Sequence, residues 1–273
     1  MLVSWKDDKT GVRNLFRLDS PSHFSAFYQV VLMDSYGPLR LAPGEVVLDA
    51  GANIGVFTVV AARAVGPKGV VVAVEPHAAN AARLMENCRL NNLNNVTVVQ
   101  EALWSRSGNR LTFEGEGCLG KLVPPTEDAN SGKMTVETVS VDDLLERLGL
   151  SKTDKIKMDV EGAELAVLET SHDMYKATDM VLKIHSEESV QRIVELLSSK
   201  GFSLTRLVRG SDDLPALIRN STKHPLLAVR IEAANQFRAI KGLIRNASPQ
   251  LGKKPPSKRA TLAVFVRKTP TGT

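Results

Sequence analysis

Apolar residues in this chain fall into short, nearly unbroken runs of strand length that alternate with longer runs of helical length. Residues 46–49 form one such run, ending in "DAGANIG". Residues 54–65 follow as an apolar stretch long enough for a buried helix, stopped by Gly66 and Pro67. "GVVVAVEP" is a second buried strand closing at Glu75, residues 78–91 are a second helix, and "NVTVV" is a third strand. This order predicts one half of a doubly wound parallel sheet.

Over residues 105–138 the pattern loosens into Gly, Pro and polar residues, including "GEGCLG" and "VPPTEDANSG". That composition predicts a loop or small hairpin between the halves, able to cover a site. A helix at 141–148, a strand at 156–159, a helix at 163–171, a strand at 180–185 and a helix at 188–200 with Gly201 at its end complete the alternation. Residues 202–208 and 261–267 both suit strands, with no crossover helix required between them. The expected fold is α/β: a doubly wound, mostly parallel seven-stranded sheet with a final antiparallel strand pair. The chain then divides into an N-terminal extension at 1–40 packing near the site at the strand ends, a core at 41–208, a basic helical insertion at 209–260, and the last strand and tail at 261–273.

Composition narrows this only slightly. The 273 residues are 43% hydrophobic and 24% charged, ordinary for a soluble globular chain. Two cysteines, Cys88 and Cys118, argue for a reducing compartment, and no pair of them has zinc-site spacing. The opening "MLVSWKDDKT" has no apolar signal segment, and no run is long enough to span a membrane, so a cytoplasmic location is expected.

Charge is uneven. Eleven Lys/Arg stand against Asp212, Asp213 and Glu232 over 209–259, a net of +8 that leaves the rest of the chain at −3 of a total of +5. Within it Leu226, Val229, Ala233, Phe237, Ile240 and Ile244 step by three and four along one helix face, with Pro225 suited to its first turn. The adjacent cations could grip RNA phosphates, an anionic surface or a phosphorylated acceptor. A helix docked by its apolar face with solvated cations outward explains the same pattern.

Candidate chemistry sits at the strand ends. Gly51 and Gly55 let the backbone approach a ligand at the turn after the first strand, and the following helix offers free amides to a carboxylate. Glu75 can accept both hydroxyls of a ribose. Asn53 and Val56 stand where a dinucleotide fingerprint would place glycine, which favours a methyl donor over a nicotinamide. Glu101 and Ala102, in "VQEAL" at the third strand's end, should lie beside the adenine. In "IKMDVEGAELAVLE", Asp159, Glu161 and Glu164 gather where a strand becomes a helix. Acids in a first turn suit the helix dipole, but Asp159 lies on the strand end facing the expected cofactor.

"VVLDAGANIGVF", "VEP" and "KMDVEGAELAVLE" together resemble the FkbM-type methyltransferases, of the class I, Rossmann-like, S-adenosylmethionine-dependent kind, over roughly residues 40–208 plus the last strand. The resemblance implies methylation of hydroxyl oxygens, with S-adenosylmethionine as cofactor. It implies that Asp49, Gly51, Asn53, Gly55 and Glu75 line that cofactor, and that Asp159, Glu161 and Glu164 form the reacting face. Asp159 is then the candidate base, with Glu161 or Glu164 orienting the acceptor or holding a cation; no metal is required by the sequence. His185 is an alternative base or a structural residue. Lys183-Ile184-His185 stands where the family commonly has Glu-x-His.

Asp159 is not followed by the Pro-Pro-aromatic of exocyclic-amine methylation, and neither cysteine follows proline as a pyrimidine-carbon nucleophile would. An oxygen acceptor is therefore expected, and the resemblance implies a hydroxylated small molecule or sugar. The alternatives are RNA held by the basic insertion, and a binding module that keeps the nucleoside pocket without turnover.

Overall fold

The computed structural model describes residues 1–7, 10–32, 34–114, 121–123, 134–209 and 261–268. The basic helix expected within 209–260, Cys118 and the Pro-Pro pairs lie outside the described residues.

The chain opens with an antiparallel hairpin of β1 (Leu2–Lys6) and β2 (Arg13–Arg17). Helix α1 (Pro21–Phe27) starts with Pro at its first position and Ser20 as its cap, the Ser20 hydroxyl accepting from the His23 amide. It runs into one π-helical turn, Tyr28–Leu32. The free edge of β2 is closed by side-chain amides rather than by a strand. The Arg17 amide donates to Asn87 Oδ1 (2.7 Å), and Asn91 both accepts from the Leu15 amide (2.9 Å) and donates to the Leu15 carbonyl (2.7 Å). Those pairings satisfy backbone groups that would otherwise be buried unpaired.

The first half of the core follows as β3 (Val46–Ala50), α2 (Val56–Val65), β4 (Val70–Val74), α3 (Ala78–Leu90) and β5 (Val96–Val99). The next strands are β6 (Ala102–Leu103), β7 (Arg110–Glu114), β8 (Lys121–Val123) and β9 (Met134–Val139). The second half is α4 (Val141–Arg147), β10 (Lys155–Met158), α5 (Glu164–Thr170), a 3-10 turn (Asp173–Lys176), β11 (Asp179–Ile184), α6 (Glu187–Ser199), β12 (Phe202–Arg209) and β13 (Thr261–Arg267).

Seven strands form one sheet in the order β12-β13-β11-β10-β3-β4-β5. It is parallel from β11 to β5, and β13 lies antiparallel between β11 and β12. This is the Rossmann-like class I methyltransferase arrangement that the alternation of runs predicts. Its core strands are apolar almost throughout because helices cover both faces. Strand order reverses between β3 and β10, so the loops after those two strands diverge and open a crevice at their carboxyl ends.

Two local readings change. Helix α2 starts at Val56, not at residue 54, because Asn53 (φ 53°) and Gly55 (φ 80°) take left-handed backbone conformations and spend those residues on the turn. The segment expected as a loop or small hairpin contributes to a four-stranded sheet, order β6-β9-β7-β8. Leu111 and Val136 pack with Ala102 and Trp104 to give that sheet its own small apolar cluster.

Candidate active site

Gly51 is the hinge of the crevice. Its φ is +73°, and a Cβ there would lie 1.9 Å from the carbonyl oxygen of Asp159, so the turn after β3 and the turn after β10 touch backbone to backbone. Beneath them Lys157, on β10 and buried, reaches across the sheet. Its Nζ lies 2.9 Å from Asp49 Oδ1 and donates to the carbonyls of Ala50 (3.2 Å) and Gly51 (2.6 Å). Asp49 Oδ2 accepts a hydrogen bond from the Thr58 hydroxyl. The pair is thus fully occupied in holding the glycine turn to the sheet, and Asp49 lies under the crevice rather than on its wall.

Glu75, one strand over, is buried and fixed by three donors: the Asn53 amide (2.8 Å), the His77 amide (3.0 Å) and Asn80 Nδ2 (3.3 Å). Burial raises its pKa, while those donors and Lys157 pull it back toward the ionised form. A cavity runs from Glu75, Asn53 and Gly51 past Ala102 and Leu103 to Asp159, Glu161 and Lys183, roofed by Ser25, Gln29 and Tyr36 of the N-terminal segment. Gly55 caps α2 without a side chain over its first amides. An anion-accepting helix start, a glycine that leaves room for a ligand and a carboxylate set for ribose hydroxyls together fit S-adenosylmethionine.

At the far end six ionisable groups converge. Asp159 Oδ2 accepts from Tyr36 Oη (3.1 Å) and Lys183 Nζ (3.2 Å). His185 Nε2 lies 3.5 Å from Asp159 Oδ1 and 3.2 Å from Glu161 Oε2, and its Nδ1 lies 2.8 Å from Glu164 Oε1. Glu161 holds a left-handed backbone (φ 50°), and Gly162 follows at φ 102°. That turn points the Glu161 side chain back toward Asp159.

The electrostatics separate the acids. Burial alone would raise Asp159, but the charges of Lys183, Lys157 and His185 hold it below the ordinary carboxylate value. Burial, then the neighbouring Asp159 charge, pushes Glu161 up to about 7. Burial lowers His185, yet its Glu164 hydrogen bond and the surrounding acids raise it overall. Burial and Asp159 lift Tyr36 well above 10, so it stays a phenol donor.

The structure therefore gathers Gly51, Asn53, Glu75, Ala102, Asp159 and Glu161 on one cavity. Asp49, Gly55 and Glu164 stand one layer behind, and His185 meets the wall through Asp159 and Glu161. Glu101 turns away: it pairs with Arg147 of α4 and does not line the cavity beside Ala102. Tyr36 and Lys157 were not read from the sequence, and Lys183 only as a departure. Lysines inside sheet strands, in "KIKM" and "MVLKI", are the only local signal, and it marks Lys155 as well as Lys157 and Lys183. Nothing local marks Tyr36, which lies 123 residues from its partner. Among the described residues Asp159, Glu161 and His185 are the one group with mutual spacing suited to a metal ion.

Comparison with known proteins gives a family match: the model described as the methyltransferase FkbM domain covers residues 49–204. The chain is 30% identical over 171 residues to hexuronic acid methyltransferase AglP of Haloferax volcanii, spanning 62% of this chain and 68% of that protein. It is 28% identical over 213 residues to methyltransferase sdnD of Sordaria araneosa, spanning 66% and 82%. Among solved structures, methyltransferase FkbM from Methylobacillus flagellatus KT aligns at 19% identity with a TM-score of 0.47, over 68% of this chain and 46% of that one.

Proposed function

Because the chain belongs to the FkbM methyltransferase family and is an S-adenosylmethionine-dependent methyltransferase, we propose that it transfers the methyl group to a hydroxyl oxygen of a sugar or other hydroxylated small molecule. The observation that carries this reading is the acid-lined end of the cavity. Asp159 and Glu161 line that end, with His185 against both, and on this reading the methyl group lies beside them.

When bound, S-adenosylmethionine supplies a sulfonium-linked methyl group to a nucleophile. The protein's task is to hold an alcohol in line with that group and receive its proton. Glu75 and the amides after Gly55 hold the nucleoside and amino-acid ends. Asp159, kept ionised by Lys183 and by the Tyr36 hydroxyl, faces the positive centre. Glu161 is the group suited to take the acceptor's proton, since its affinity for a proton matches a neutral working pH. His185, steadied by Glu164, is placed to share that proton through Nε2. AglP is named for action on a hexuronic acid, and that likeness supports a sugar acceptor here.

The test uses methyl-labelled S-adenosylmethionine with cell extract divided into glycan/small-molecule and RNA fractions. Label in the first fraction supports the reading. RNase-sensitive label would overturn it.

A further inference from the structure

The two carboxylates at the reacting end are held symmetrically. Each turns one oxygen to an imidazole and the other to an ammonium group. His185 Nε2 faces Asp159 Oδ1 at 3.5 Å and Glu161 Oε2 at 3.2 Å. Lys183 Nζ faces Asp159 Oδ2 at 3.2 Å and Glu161 Oε1 at 4.0 Å. Lys183 is the penultimate residue of β11 and His185 the residue just past its end, and both side chains reach the same two acids. The atoms on the His185 side have a further property: Asp159 Oδ1 and His185 Nε2 are buried without a hydrogen-bond partner among the described residues. One carboxylate oxygen each from Asp159 and Glu161 and one nitrogen from His185 lie within 4.8 Å of one another. Glu164 fixes the imidazole from behind at 2.8 Å, as a carboxylate commonly does behind a metal-bound histidine.

These groups have the make-up of a divalent-cation site, but a positive charge is already tethered across it. We propose that Lys183 is the resident cation of this site. Its ammonium group spans Asp159 and Glu161 where a divalent ion would otherwise balance them, so the protein works without a metal. Removing the ammonium leaves Asp159, Glu161 and His185 open to one. The role of Lys183 in turnover rests on the methyl-transfer reading above, whereas the cation preference rests on the geometry alone. Lys183 is thus a positioning residue: it fixes both acids, and its charge repels a second cation a few ångströms away. The proposal also accounts for a lysine following the apolar Met180–Leu182 stretch of the strand, which burial would disfavour without acidic partners.

Manganese binding reads this directly, by electron paramagnetic resonance on the purified full chain without donor or acceptor. The wild-type protein is expected to show no stoichiometric Mn(II) site. Lys183→Met is expected to bind one ion per chain, about a hundredfold tighter or more, and adding His185→Ala should remove it. Lys183→Gln is the second variant, should the methionine disturb folding. Methyl transfer by the wild type should be insensitive to EDTA, while Lys183→Met should lose turnover and regain part of it with Mn(II). Stoichiometric Mn(II) binding by the wild type as tight as that of Lys183→Met would overturn the proposal. So would folded Met and Gln variants that gain no Mn(II) affinity. Absence of methyl transfer to every fraction would strike the acceptor assignment and leave the binding result standing.

Discussion

The missing Cβ of Gly51 would lie 1.9 Å from the carbonyl oxygen of Asp159. Two separated motifs, "DAGANIG" and "KMDVEG", are therefore one structure: the first has glycine where the second's backbone passes. The carboxylate of Asp159 reaches the cavity because nothing on residue 51 pushes its strand end away.

Gly51→Ala should consequently damage both turns. The clash is with backbone, which cannot swing aside, and φ of +73° is itself unfavourable for alanine. Loss of more than about 2 kcal/mol of stability is expected in urea unfolding, together with loss of cofactor binding. Gly66→Ala is a useful comparison, because its Cβ would meet nothing within 4 Å although its φ is also positive. It should show the dihedral cost without the clash.

Glu75→Gln should weaken S-adenosylhomocysteine binding about 10- to 100-fold by calorimetry, the loss expected for charge-assisted hydrogen bonds to two ribose hydroxyls. Glutamine keeps only one of the two acceptor oxygens, of which one takes the Asn53 amide and the other the His77 amide and Asn80, so the variant should also lose about 1–3 kcal/mol in urea unfolding. An unchanged affinity would remove Glu75 from the cofactor site.

Lys157→Met should be costlier to the fold than to the chemistry. It leaves the carboxylate of Asp49 buried without its ion-pair partner, a loss of roughly 3–5 kcal/mol in urea unfolding. Asp49→Asn in the same chain should restore part of that, because the uncompensated charge is then gone.

A pH dependence follows from Glu161, whose pKa rises from 4.5 to about 7 on folding. Between those values the native chain binds more protons than the unfolded one, so stability falls as pH rises through the window. Glu161→Gln should flatten that slope in urea midpoints measured across it. The lowered pKa of Asp159 acts only below this range. In turnover the same group gives a kcat/KM that rises with pH through about 7. Lys183→Met should move the stability window upward in the same urea measurement, since the ammonium charge favours the ionised acid.

Most of the sheet was legible in the sequence because its buried strands are continuous apolar runs and its turns carry glycine. The segment over 105–138 was not, since β7 and β9 pair with each other at long range and leave only a small cluster around Leu111 and Val136. The same division holds at the site. Gly51, Glu75 and Asp159 sit at strand ends, where position follows from topology. Glu101 also follows a strand, but its side chain was free to turn to Arg147 on α4, a choice made by packing 46 residues away. Tyr36 reaches Asp159 from the N-terminal segment for the same kind of reason. Lys157 and Lys183 left a trace, as lysines within sheet strands, and both prove to be counter-ions of the acids that the motifs announce.

The most direct measurement is of the bond the enzyme makes. Product formed from isotopically methyl-labelled S-adenosylmethionine and a glycan or small-molecule fraction should be purified and its new methyl group located by heteronuclear NMR. The account predicts a methyl bonded to oxygen on a sugar or alcohol carbon, with the signal lost in Asp159→Ala. A methyl on nitrogen or carbon, or undiminished product from Asp159→Ala, would contradict it.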